Sequence, residues 1–255
     1  MTRVLVKGIT SGVGATTIAA NLTYALNASG RTTAVVDLDP RNILGMWFGQ
    51  NEADPNGWVY AELTQQSWML GGYVSPQGVR FFPFGDLFQL PSDIERLPWS
   101  NLIESLLQRV LPAMLTALSR EYEFVVLSFP AMFNAKLLSK IKAFADTVLT
   151  VIHCDPVSFS LLRRPSNQAE LADSFVVANQ CSVFHQIQQD LLLLNQGAFA
   201  QRFISTKIHF DIAVQEALTS MTSVVEYSPN AQASHDFRAL ATWLVANASK
   251  QTQSS

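Results

Sequence analysis

Three apolar residues, Val4-Leu5-Val6, run directly into Gly8-Ile9-Thr10-Ser11-Gly12-Val13-Gly14-Ala15-Thr16-Thr17, and an alanine-rich stretch with helical spacing follows. A short buried strand that turns through glycines into a helix needs parallel neighbours beside it and helices over it. The rest of the chain supplies both. Apolar runs predict strands near Arg3–Lys7, Thr33–Leu38, Val79–Pro83, Phe124–Ser128, Thr147–His153, Phe175–Asn179 and Phe203–Ser205. Amphipathic stretches between them predict helices near Thr16–Ala28, Ile43–Phe48, Trp99–Ser119, Ala135–Phe144, Ser158–Arg164, Val183–Asn195, Ile212–Ser220 and Ala233–Ala248. The expected fold is α/β, one domain over residues 1–248, with a mostly parallel sheet of about seven strands and helices on both faces. The polar run 249–255 is expected to be a disordered tail.

The glycine loop carries the chemistry. Between a strand and a helix it aims backbone N–H groups at one point, where the helix dipole also favours an anion. In a phosphate-binding loop a lysine then reaches the β- and γ-phosphates and a Ser/Thr hydroxyl ligates magnesium. Here alanine, Ala15, stands where that lysine belongs, while Thr16 and Thr17 keep the hydroxyls. The second strand ends Asp37-Leu38-Asp39-Pro40, which puts Asp39 at the carboxyl edge of the sheet, where ligands of open α/β folds bind. Period-2 geometry puts Asp37 and Asp39 on one side, so one carboxylate braces the loop while the other faces the phosphates.

Composition narrows the classes. Hydrophobic residues make up 48% and charged residues 15%, which demands a large core, and a net charge of −3 provides no basic stripe for nucleic acid. No nucleic-acid partner is expected. Cys154 and Cys181 lack metal-ligand spacing and read as buried free thiols. No run approaches about 18 consecutive apolar residues, so no transmembrane segment is expected. Four scattered histidines form no ligand pattern, and the aromatic-rich stretch from Gln50 to Pro91 reads as packing.

With Asp37-Leu38-Asp39-Pro40, the strand Phe124-Val125-Val126-Leu127-Ser128-Phe129-Pro130, and Ala145-Asp146-Thr147-Val148-Leu149 followed by Asp155-Pro156, the loop resembles the MinD/ParA group of deviant P-loop ATPases. The resemblance runs from about Arg3 to Ala248. Gly8 before a lysine-free loop, Gly57-Trp58, Phe82-Pro83-Phe84-Gly85 and Val225-Glu226-Tyr227 are similar to the branch of that group that accompanies bacterial cellulose synthesis and secretion.

The resemblance implies a P-loop NTPase fold that binds ATP or ADP, with Mg²⁺ weakened. Gly12, Val13, Gly14, Ala15, Thr16 and Thr17 would cradle the phosphates, Thr16 would be the metal ligand, and Asp39 would be the catalytic carboxylate that orients water. Asn179 would read the adenine edge, and Pro229, in Tyr227-Ser228-Pro229, would pack on the base. Thr10 stands at the signature lysine that crosses a dimer, and Ser128 at the aspartate of the metal-holding strand. Losing two such charges predicts hydrolysis slower by about four decades if the effects added. The resemblance further implies a cytoplasmic homodimer recruited to the inner-membrane face by subunits of the cellulose synthase secretion complex, with weak or absent hydrolysis. Two alternatives stand beside it: an active MinD/ParA-type ATPase for intracellular positioning or partition in which Lys7 or a partner supplies the cation, and an interaction module that binds no nucleotide. The stretch from Phe237 to Val245 lacks the basic cluster of a membrane-binding helix and reads as the closing helix of the fold.

Overall fold

The computed structural model describes residues 1–91, 99–131 and 135–253. In chain order the elements are β1 (Thr2–Gly8), α1 (Ala15–Ala28), β2 (Thr33–Asp37), α2 (Trp58–Leu63), β3 (Tyr73–Val74), β4 (Arg80–Phe82), α3 (Trp99–Arg109), α4 (Leu111–Leu118) and β5 (Phe124–Phe129). They continue with α5 (Ala135–Lys142), β6 (Thr147–His153), α6 (Pro156–Arg163), α7 (Pro165–Leu171), β7 (Ser174–Asn179), α8 (Gln186–Phe199), α9 (Ile212–Thr219), α10 (Val224–Tyr227) and α11 (Gln232–Gln253). The seven strands form one sheet in the order β3-β4-β2-β5-β1-β6-β7, parallel except for the β3–β4 pair.

Burial on both faces explains why the strands read as unbroken apolar runs. Val4, Val6, Val35 and Val126 face a core closed by α1, α9 and α11, and Leu5, Val36, Val125 and Leu127 face one closed by α3, α4 and α5. Helix α11 lays Phe237, Leu240, Ala241 and Leu244 into the first core, and Trp243 meets Phe175 edge-on at 4.9 Å. That apolar face is occupied inside the fold, as expected for a closing helix. Among the described residues no helix is long and apolar enough to cross a membrane.

Several boundaries differ from the sequence reading, each for a local reason. Phe203–Ser205 is not a strand: Phe203 makes only an isolated bridge to Val176, because the chain touches β7 through Ile204 and again through Ile208 without forming a ladder. The seventh strand is the two-residue β3, which hairpins onto β4 through the turn at Ser75–Gly78. The expected helix Trp99–Ser119 divides around Val110, just ahead of Pro112, which lacks the N–H that would continue it. Ile43–Phe48 is a short 3₁₀ turn, Leu44–Phe48. The tail does not leave the body at residue 249: α11 runs to Gln253, with Ser249 Oγ donating to the Val245 carbonyl and no Gly or Pro to stop it. Residues 254 and 255 of the expected tail lie outside the described residues.

The stretch from Gln50 to Pro91 packs as its aromatics suggested. Trp58, Phe81, Phe82 and Phe84 are buried, and Tyr24, Phe48, Phe81 and Tyr73 stack in sequence with centroids 4.9–5.5 Å apart. Trp58 also donates its indole N–H to the Asp37 carbonyl at 2.7 Å, which ties this stretch to the end of β2. Gly57 is required beside it, since a Cβ there would lie 2.3 Å from the Gly85 nitrogen.

Candidate functional site

The loop between β1 and α1 sits at the carboxyl edge of the sheet, next to the central strands. Gly12 and Gly14 both hold φ of +85°, the left-handed region that glycine enters at no steric cost. Gly14 is the N-cap of α1, and that terminus has neither a side-chain cap nor an acidic residue in its first turn. Its N–H groups therefore keep their capacity for an anion. Ala15, Thr16 and Thr17 follow, half-buried, in that turn.

Asn179, at the end of β7, reaches across β6 to this loop. Its side-chain amide donates to the Val13 carbonyl at 2.8 Å and fills the space beside Gly14, where a Cβ would stand 2.3 Å from Nδ2. Thr17 and Asn179 also line a cavity of about 110 Å³ with Gln180, Ile208, His209, Phe210 and Asp211. So the structure brings Gly12 through Thr17 and Asn179 together. Pro229 is exposed, and its carbonyl accepts from Arg238. His209, Phe210 and Asp211 form one wall of that cavity. The sequence assigns them no such place: Phe203–Ser205 is expected as a strand, residues 206–211 carry no element, and His209 is one of four scattered histidines. Asp211 capping α9 was the available signal. His209 is fixed there by Asp236, which accepts from its backbone N–H at 2.9 Å and pairs with Nδ1 at 2.8 Å.

Asp37 ends β2, and Asp39 lies two residues beyond it, in the loop that follows. Asp37 is fully buried and accepts from the N–H groups of Asp39 at 3.1 Å and Leu44 at 3.4 Å, so it braces the loop after β2. Burial first, and then the charge of Asp39, push its carboxyl well above the ordinary carboxylate value. A raised acid stabilises the fold below the unfolded value and loses that contribution as pH rises through the folded one. Asp37→Asn is therefore expected to flatten the decline in stability across that window while keeping the acceptor oxygen, read by chemical denaturation at a series of pH values. An unchanged pH profile would refute this. Asp39 is buried too, and Arg41 covers it, with the backbone N–H and Nε at 3.0–3.1 Å from Oδ1 and Nε at 2.9 Å from Oδ2.

The charges a phosphate-transfer site needs are sparse. Ser128 is buried in β5 on the same face as Val6 and Val126, in register with Asp37, and its carbonyl accepts from the Leu38 N–H at 2.9 Å. Lys7 does not replace the missing loop cation. Strand alternation turns it away from α1, and its ammonium pairs with Glu170 on α7. Burial lowers its pKa, against the raising effect of that partner. Among the described residues no three His, Cys, Asp or Glu side chains group tightly enough to hold a metal ion. The residues present thus fit a phosphate chain through backbone donors, and offer magnesium the Thr16 hydroxyl without the carboxylate usual at Ser128.

The family model described as "Cellulose biosynthesis protein BcsQ" matches residues 1–245. The chain is similar to the cellulose biosynthesis protein BcsQ of Escherichia coli K12, 26% identical across 94% of this chain and 93% of that one. In fold it is similar to the MinD cell division protein of Aquifex aeolicus, with a TM-score of 0.72 at 18% identity over 96% of this chain and 98% of that one. It is likewise similar to the septum site-determining protein MinD of Pyrococcus horikoshii complexed with Mg-ADP, with a TM-score of 0.69 at 18% identity over 96% of both chains.

Proposed function

Because this chain belongs to the cellulose biosynthesis protein BcsQ family, we propose that it serves bacterial cellulose synthesis as an adenine-nucleotide-binding component whose phosphate cradle is kept while its hydrolytic charges are reduced. The observation that carries this reading is the uncapped N-terminus of α1 behind a loop held by Asn179, combined with Ala15 and Ser128 at the two charged positions. Thr16 would ligate magnesium and Asp39 would orient water, both with weakened electrostatic support. In this reading the protein is a dimeric scaffold in the cytoplasm, recruited to the inner-membrane face by subunits of the cellulose secretion machinery. The engagement of Lys7 by Glu170 weighs against an active partition-type ATPase that draws its cation from Lys7.

The test is to denature freshly purified protein and run the supernatant on an anion-exchange column, then to follow phosphate release from added Mg-ATP. Intact ATP is expected in the supernatant, with turnover about four decades below that of an ordinary ParA-type enzyme. Empty protein that also fails to take up added ATP would remove the nucleotide reading. Turnover at ordinary ParA rates would remove the scaffold reading.

A further inference from the structure

Cys154 follows β6 and Cys181 follows β7, and these strands are parallel neighbours in register at His153 and Asn179. Both thiols are free and buried, and their sulfurs lie 3.3 Å apart. That is about 1.3 Å more than the roughly 2.05 Å of a disulfide, a gap that closes when the Cys181 segment is drawn toward Cys154. The pair is not sealed in the core. It forms a wall of a cavity of about 360 Å³ lined also by Gln188, Gln189, Leu192 and Lys207, which gives a small oxidant a route.

We propose that Cys154 and Cys181 form a dithiol modification site that a hydroperoxide closes to a disulfide, and that this closure alters the nucleotide end of the fold. The hydrogen bond within the pair lowers the pKa of Cys154 and raises that of Cys181, and Lys207 favours the thiolate at both. We assign the attack to Cys154, the order that the Cys181→Ser variant below tests. Its thiolate takes the distal peroxide oxygen, the O–O bond breaks, and the leaving alkoxide or hydroxide gains a proton. Cys181 then attacks the sulfenic sulfur, forming the S–S bond and expelling hydroxide, which leaves as water with the Cys181 proton. The two sulfurs are oxidised by one electron each, and the peroxide is reduced by two.

The coupling follows from where Cys181 sits, and rests on the nucleotide-binding reading above. Cys181 donates its N–H to the Ile208 carbonyl and accepts from the Phe210 N–H, at 2.9 and 3.0 Å. Two residues upstream, Asn179 holds Val13, and Gln180 between them has a φ of +53°. Drawing Cys181 toward Cys154 moves Asn179, Ile208 and Phe210, three of the residues around the cavity beside Thr17.

The purified full-length protein is treated with hydrogen peroxide, unfolded, alkylated and digested with trypsin. The expected product joins peptides 143–163 and 164–202 and separates on reduction with dithiothreitol. Full alkylation of both thiols after peroxide would overturn the site. In Cys181→Ser the reaction is expected to stop at a sulfenic acid on Cys154 that dimedone traps, and absence of the adduct would overturn the order of attack. A titration with fluorescent ATP is expected to give at least tenfold weaker binding in the cross-linked protein, restored by dithiothreitol. Equal affinity would overturn the coupling. Failure of the reduced protein to bind would instead count against the nucleotide reading, and the mass measurement of the disulfide is independent of it.

Discussion

Replacing Gly14 with alanine is expected to cost about 2–3 kcal/mol of stability and to weaken nucleotide binding by on the order of a hundredfold. Two physical effects combine. The residue holds φ of +85°, which costs an L-residue roughly 1–2 kcal/mol. Its new Cβ would also stand 2.3 Å from Asn179 Nδ2, and the donor to the Val13 carbonyl would have to leave, at about 1 kcal/mol for a buried hydrogen bond. Displacing Asn179 moves both the loop and the wall of the cavity beside Thr17, and ångström-scale misplacement of binding groups is what makes the loss in affinity larger than the loss in stability. Gly12→Ala is the matched control, since Gly12 shares the φ of +85° and has nothing within 4 Å of its missing Cβ. Chemical denaturation and titration with a fluorescent ATP analogue, run on both variants, separate backbone strain from the clash. Equal effects of the two substitutions would mean that the contact with Asn179 contributes nothing.

The parts of the fold that were legible in the sequence are those where one residue pattern has one physical solution. Val4-Leu5-Val6 and Phe124–Leu127 are apolar without alternation, and Val148-Leu149 and Val151-Ile152 nearly so, because a central parallel strand is covered on both faces. The glycines of the loop were equally readable, since Gly12 and Gly14 occupy a conformation that other residues avoid. What could not be read was decided by distant contacts. The two-residue β3 exists because a turn at Ser75–Gly78 returns the chain onto β4. Residues Phe203–Ser205 have strand-like composition, yet the chain makes only an isolated bridge to Val176 there and meets β7 again at Ile208 without forming a ladder.

The same division runs through the site. Asp37 was placed by counting along a strand. Pro229 comes from the resemblance alone; it is exposed, and Arg238 donates to its carbonyl. His209 became visible only through Asp236, 27 residues further on, which fixes its ring and backbone together. Lys7 was an attractive substitute cation because it lies one residue before Gly8, but strand alternation sends it to the opposite face, where Glu170 compensates its burial. A residue adjacent in sequence to a loop at the end of a strand has an even chance of facing away from it.

Placing a charge at both positions, in Ala15→Lys with Ser128→Asp, is expected to raise ATP turnover by about four decades if the effects add, because each electrostatic group of this kind is worth about two decades or more in rate. The two substitutions act through different physics. Position 15 lies half-buried in the first turn of α1, so a lysine there reaches toward the cradle without entering the core, and Ala15→Lys alone is expected to tighten Mg-ATP binding about ten- to a hundredfold, as a charge-assisted hydrogen bond of roughly 1.5–3 kcal/mol would. Position 128 is buried and in register with Asp37, whose carboxyl is already displaced upward by burial and by Asp39. A second carboxylate beside it repels the first, so Ser128→Asp alone is expected to lower the melting temperature, more at high pH than at low, and to recover on addition of Mg-ATP. The gain in turnover has a ceiling set by Asp39, which must exchange its contact with Arg41 for the attacking water. Isothermal titration with Mg-ATP and Mg-ADP, melting curves at two pH values and single-turnover phosphate release distinguish these contributions. If a lysine at position 15 leaves both nucleotide affinities unchanged, the loop is not a phosphate cradle, and the shared fold carries a surface for partners and nothing more.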